Sequence, residues 1–158
     1  LRDAREIFRE MLHGVLFRSP IPAILNATPG FQRDTIFLAW DDSPAAARAV
    51  HAALPLLKEA RQITIGCFDP PATVEGRKTA PGSALATWLS HHGCTVTVAP
   101  YPSSGAEIGQ AILDRATELG ADLGVQGAYG HSRMRQAVFG GTTRTMIEQS
   151  QIPVLLAH

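Results

Sequence analysis

From residue 35 onward, short apolar runs alternate with longer stretches whose apolar side chains recur at helical spacing. Strands that alternate with helices imply a parallel α/β sheet joined by right-handed crossovers. Thr35-Ile36-Phe37-Leu38-Ala39-Trp40 is an almost unbroken apolar run, the pattern of a strand covered on both faces. Ser43-Pro44 then offers a helix N-cap followed by a first-turn proline. Ala46, Val50, Ala53, Leu54 and Leu57 follow at helical spacing and predict an amphipathic helix over 44–60. Pro55 lies inside that helix and is expected to kink or shorten it.

The second strand reads 62–68, and the proline- and glycine-rich stretch 69–82 reads as a surface loop. A helix over Ser83–His92 should end at Gly93 as its C′ residue, ahead of a third strand over Cys94–Ala99. Ser104-Gly105-Ala106-Glu107 resembles a capping box, opening a helix that runs to about Leu119. A fourth strand follows over 122–126, a helix over 141–150, and a fifth strand over 152–156. The first 34 residues match the end of this unit, not its beginning. Ser19-Pro20-Ile21-Pro22-Ala23-Ile24-Leu25 aligns with Ser150-Gln151-Ile152-Pro153-Val154-Leu155-Leu156, and each run follows a helical segment, Glu6–Phe17 and Thr142–Gln149. Two readings stand. One is coincidence between short apolar runs containing proline. The favoured one is a tandem protein, in which 1–34 hold the last helix and strand of a preceding similar domain plus a linker (26–34), and 35–158 form one further domain.

Fourteen basic residues balance fourteen acidic ones with no basic cluster, which speaks against nucleic-acid and membrane partners. Cys67 and Cys94 sit in apolar runs and read as buried reduced thiols; a redox role or a pocket wall is the alternative. No run approaches the ~20 apolar residues of a membrane span, and no signal peptide opens the sequence, so a cytoplasmic location is expected. The chain begins with Leu1, which reads as a piece with an upstream part. His13, His51, His91, His92, His131 and His158 show no catalytic or zinc-ligand spacing, so catalytic residues and protein metal ligands are expected to be none.

After the fourth strand come Gly127-Ala128-Tyr129-Gly130, nine residues, and Gly140-Gly141 opening a helix. Glycines admit a phosphate to the backbone, and free N–H groups at a helix N-terminus point at it. Thr142 and Thr143 offer hydroxyls; His131, Ser132, Arg133 and Arg135 offer charge or hydrogen bonds. Glycines serving only a tight turn are the plainer alternative. The pattern is neither a P-loop nor the dinucleotide fingerprint.

The segment resembles the universal stress protein signature, Gly-x2-Gly-x9-Gly followed by Ser or Thr. Residues 121–126 and 151–156 look like that family's fourth and fifth strands, and 36–43 like its opening strand and the aspartate beyond. The resemblance spans 35–158. It implies a doubly wound, five-stranded parallel sheet in the order 3-2-1-4-5, of the adenine nucleotide alpha-hydrolase-like class. It further implies a stress-response regulatory domain that binds ATP or a related adenine nucleotide as a switch. By position, Ala39 and Asp41 would flank the adenosine and Cys67 would present its backbone to adenine. Gln126, Gly127, Gly130, His131, Ser132, Gly140, Gly141, Thr142 and Thr143 would meet ribose and phosphates, with Mg²⁺ held by phosphate oxygens. Asp41 could instead merely cap the next helix. Two departures stand out: Gly141 replaces the family's Ser or Thr, and Gln126 stands where methionine or another apolar residue is usual. The related ATP pyrophosphatases carry glycines after the first strand where this chain has Asp41-Asp42-Ser43-Pro44, so no enzyme is expected beyond slow hydrolysis. The rival reading is a stress protein that binds no nucleotide and acts through protein contacts with a regulatory partner. The family likeness also implies antiparallel pairing of fifth strands, as a homodimer or, with residues 20–25 as partner strand, as an intrachain pseudo-dimer.

Overall fold

The structure, a computed structural model, describes residues 3–19, 21–70, 80–128 and 141–158. Helix α1 (Ala4–His13) continues into a π-helical turn over Gly14–Arg18 and leads to strand β1 (Ala23–Leu25). There follow β2 (Thr35–Ala39), α2 (Pro44–Glu59), β3 (Gln62–Phe68), α3 (Ser83–His91) and β4 (Val96–Tyr101). Helix α4 (Ile108–Glu118), β5 (Leu123–Gly127), α5 (Gly141–Gln149) and β6 (Val154–Ala157) complete the chain.

The strands form one sheet in the order β1-β6-β5-β2-β3-β4. From β2 to β6 the strands are parallel and stand in the expected 3-2-1-4-5 order. The sheet has six strands, not the expected five, because β1 adds antiparallel to β6. Ala23 lies opposite Leu156, Ile24 opposite Leu155, and Leu25 opposite Val154. Between β2 and β5 the winding reverses. One core joins α2 and α3 to the sheet through Ala49, Val50, Ala53, Leu57, Leu85 and Leu89. The other joins α1, α4 and α5 to the opposite face through Leu12, Leu16, Ile112, Ala116 and Met146.

Local chemistry explains where the elements depart from the sequence expectations. Helix α2 continues unbroken through Pro55, which is exposed like His51 one turn earlier, so water can replace the bond that the proline removes. The third strand starts at Val96, not Cys94, because the Cys94 N–H is spent on the Leu89 carbonyl (3.1 Å) closing α3. Gly93, at φ +81°, provides that left-handed closure. The fourth strand lies one residue later than expected, and the fifth starts at Val154, after Pro153, which has no N–H to give. No capping box forms at 104–107. Glu107 is itself the N-cap of α4, its carboxylate accepting from Gly109 N–H (2.9 Å) and Gln110 N–H (3.2 Å), while Ser104 sits in a left-handed turn. Of the expected loop 69–82, residues 71–79 lie outside the described residues.

The N-terminal segment is tied into this architecture. Leu16 is fully buried, Asn26 Nδ2 donates to the Ser150 carbonyl (2.9 Å), and Arg9 pairs with Glu148 of α5. Leu16→Ala should therefore lower global stability by about 3 kcal/mol within a single urea transition, followed by circular dichroism. A separate early transition of α1, with the main one unmoved, is the contrary result.

Candidate functional site

The winding reverses between β2 and β5, and ligands of open α/β sheets usually sit in the crevice outside the carboxyl ends of the strands at such a reversal. Ala39, Asp41, Cys67, Gln126 and Gly127 all fall on the ends of β2, β3 and β5 that border it. Ala39 pairs with Gly66, and Leu38 pairs with Val125, so Cys67 and Gln126 flank the end of β2 from opposite sides. Gly130, His131, Ser132 and Gly140 lie outside the described residues, as do Arg133 and Arg135.

The turn after β2 is built by its side chains. Trp40 Nε1 donates to Asp42 Oδ1 (2.8 Å), and Asp42 holds φ +62°, a left-handed position that aspartate tolerates. The Ser43 N–H donates to Asp41 Oδ1 (3.0 Å), and Ser43 Oγ in turn accepts from Ala46 N–H (3.1 Å). Asp41 thus has a structural duty: it orders the entry to α2, while its carboxylate stays exposed at the crevice.

Cys67 turns its thiol into the core beneath the start of α3, where a Cβ on Gly82 would stand 3.0 Å from Sγ. Burial, and secondarily the charge of Asp42, pushes that thiol's pKa up, so it is an inert neutral group. The ladder phase is fixed by Ile63 N–H to Thr95 O (3.0 Å) and Asp69 N–H to Tyr101 O (2.9 Å), and it directs the Cys67 backbone towards β4.

Gly127 makes a close approach of another kind. A Cβ there would lie 2.5 Å from the Ala46 nitrogen and 2.7 Å from the Ala45 carbonyl carbon. Its missing side chain makes room for the first turn of α2, and the space is filled by backbone. Gln126 is 4% exposed, and its Nε2 has no hydrogen-bond partner among the described residues. It helps line a cavity of about 10 Å³ with Phe37, Ile112, Met146 and Val154, room for one water at most.

Sequence reasoning did not single out Glu107 for the site, having read it only as a cap. Its carboxylate also reaches α5: Thr145 Oγ1 stands 2.9 Å from Glu107 Oε2 and 3.0 Å from the Gly141 carbonyl, one proton serving both. A Cβ on Gly141 would lie 3.7 Å from Glu107 Oε1, an ordinary contact. A negative charge therefore sits beside the N-terminus of α5. Thr143 is buried and Thr142 half-buried, so of the two hydroxyls only that of Thr142 retains access. No sequence spacing signals this contact, which depends on the close packing of α4 on α5, where a Cβ on Gly109 would fall 2.7 Å from that of Thr145.

Residues 104–158 match the family model described as the universal stress protein family. No curated protein matches the sequence. Among solved structures, a universal stress protein from Archaeoglobus fulgidus aligns with TM-score 0.69 and 23% identity, over 92% of this chain and 54% of its own. This chain thus spans about half the length of that protein. Universal stress protein UspA from Lactobacillus plantarum aligns with TM-score 0.56 and 17% identity, over 80% of this chain and 99% of its own. A universal stress protein solved in complex with cAMP gives TM-score 0.58 and 22% identity, over 79% and 97%. The last two shares are about what residues 35–158 make up, whereas the first exceeds it. The fold is that of the universal stress proteins, and the family-model match covers the closing third of the chain. Among the described residues no helix is long and apolar enough to cross a membrane.

Two substitutions test this geometry. Gly127→Ala should destabilise by at least ~2 kcal/mol, because backbone on both sides must move apart. Gln126→Met removes a buried donor without a partner and should raise stability by about 1 kcal/mol, a Tm gain of roughly 2–4 °C by calorimetry.

Proposed function

We propose that this chain is a stress-response domain that binds an adenine nucleotide at the carboxyl ends of β2, β3 and β5 and uses its occupancy as a regulatory switch. The observation that carries the reading is the crevice at the winding reversal. There an exposed Asp41 carboxylate stands just beyond the end of β2, and the N-terminus of α5 follows the glycine-spaced segment. A carboxylate suits ribose hydroxyls, and helix N–H groups suit phosphate. The similar fold solved with cAMP supports the same ligand class. Ala39 and Asp41 would hold the nucleoside, and Gly130, Gly140, Gly141 and Thr142 the phosphates. Bound Mg²⁺ would add charge neutralisation at phosphate oxygens. No residue of the described site forms a nucleophile–base pair, so binding, not turnover, is the proposed activity.

A second reading is favoured by Glu107. Its carboxylate beside Gly141 opposes a polyphosphate at that helix end and suits a domain that works through protein contacts without nucleotide.

Calorimetric titration with ATP, ADP, AMP and cAMP, with and without Mg²⁺, separates the two. The nucleotide reading expects saturable one-site binding, weakened more than tenfold by Asp41→Ala in protein that remains folded. Gly141→Ser restores a hydroxyl in space that is open to it and should tighten ATP about fivefold. Absence of heat at millimolar nucleotide, in both wild type and Gly141→Ser, would establish the contact reading instead.

A further inference from the structure

Among the described residues at the carboxyl ends of β2, β3 and β5, two aromatic side chains are half-buried and keep access to solvent, Trp40 and Phe68. Their rings are engaged differently. Phe68 lies on the sheet face that α4 and α5 cover, edge-on to Phe37 at 6.3 Å and tilted against Tyr101 at 5.5 Å. Trp40 packs against the opposite core, which joins α2 and α3 to the sheet, and among the described residues no second ring stacks on it.

The indole is held at both ends. The Trp40 backbone N–H donates to the Gly66 carbonyl of β3 (2.9 Å), and the side-chain Nε1 donates to Asp42 Oδ1 (2.8 Å). With its polar edge satisfied inside the chain's own turn, the ring has its π-face left for a ligand, a flat apolar surface. Its neighbours offer no such surface. Ala39 and Gly127 are small, and Asp41 and Asp42 are exposed carboxylates. A planar base that enters here finds one side chain of its own shape.

We propose that Trp40 is the base platform of this site: the base of a bound purine nucleotide stacks on its indole while Asp41 takes the ribose, an assignment that rests on the nucleotide reading above. The ligand's own connectivity sets the two groups side by side. The base hangs from the ribose carbon next to the one that bears the 2′-hydroxyl, so a carboxylate that accepts from the ribose hydroxyls brings the base close to itself. Trp40 directly precedes Asp41 in the chain. Stacking of one base on one aromatic side chain raises affinity roughly fivefold to a hundredfold. It strengthens with ring area, so a two-ring base is preferred to a one-ring base.

Tryptophan emission reads the stacking directly, because a base laid on an indole quenches it. The chain has two tryptophans, and Trp88, exposed on α3 beside His92, is replaced by Phe so that Trp40 emits alone. This parent and its Trp40→Leu and Trp40→Phe derivatives, each checked for folding by thermal melting, are titrated with AMP and CMP by fluorescence and calorimetry in parallel. In the parent, AMP should quench Trp40 with the midpoint of the calorimetric isotherm and bind more tightly than CMP. Trp40→Leu should weaken AMP roughly tenfold or more and remove its advantage over CMP, whereas Trp40→Phe, which keeps a ring without the N–H, should stay within about threefold of the parent. Binding heat from AMP without quenching overturns the platform and leaves nucleotide binding standing. Equal losses in the Leu and Phe variants do the same, assigning Trp40 to the turn through its bond to Asp42. Neither heat nor quenching from AMP or ATP in the parent removes the nucleotide reading, and the platform with it.

Discussion

The first turn of α2 rests on β5 backbone to backbone, and the position of every candidate group depends on that contact. With a Cβ at residue 127 excluded by Ala45 and Ala46, the helix can approach until its N-terminus stands over the reversal of the sheet. The turn that leads into it, from Trp40 to Ser43, is held at that point by the Trp40–Asp42, Asp41–Ser43 and Ser43–Ala46 hydrogen bonds. Asp41 is consequently presented at the crevice by a scaffold of short bonds, whether or not a nucleoside is there to meet it. A larger residue at 127 would displace α2, the Asp41 turn and the end of β5 together.

What the residues disclosed in advance was periodicity and punctuation. Continuous apolar runs marked the parallel strands, Ser43-Pro44 marked the start of α2, and their alternation marked a parallel α/β sheet, whose strand order came only with the family resemblance. Long-range competition for single backbone groups lay out of reach. Cys94 belongs by composition to a strand, but its N–H closes α3. Pro55 belongs by propensity at a helix break, yet sits where solvent makes it harmless. Gly127 was legible as a close-approach glycine, but not what approaches it. The answer there is the chain's own helix, and only tertiary packing could supply it.

The internal likeness shows the same limit from the other side. Two apolar runs containing Ile-x-x-x-Leu and a proline are weak evidence on their own, since any buried strand favours such residues. The register sets Ile24 opposite Leu155, the residue it aligns with, and a shift by one residue would flip every side chain to the other face. Sequence can propose a repeat, but only the ladder shows that the two runs pair antiparallel.

Glu107 and Gly141 pose the sharpest physical question at the site. A carboxylate that caps α4 through two N–H groups is held in place by the helix it starts, and Thr145 locks its second oxygen. It cannot swing away without giving up a cap worth about 1 kcal/mol. Its position beside α5 is therefore a standing cost to any anion there, and the absence of a side chain on Gly141 removes the hydroxyl that would offset it. Neither feature involves Asp41, whose carboxylate is exposed beyond the end of β2. On the proposed reading, a ligand with an adenosine and a single phosphate would meet little of what Glu107 opposes, whereas a triphosphate would have to recover its added charge from Mg²⁺ or from basic side chains. The order of affinities across cAMP, AMP, ADP and ATP thus measures how far Glu107 governs the phosphate end, independently of whether the nucleoside end binds at all.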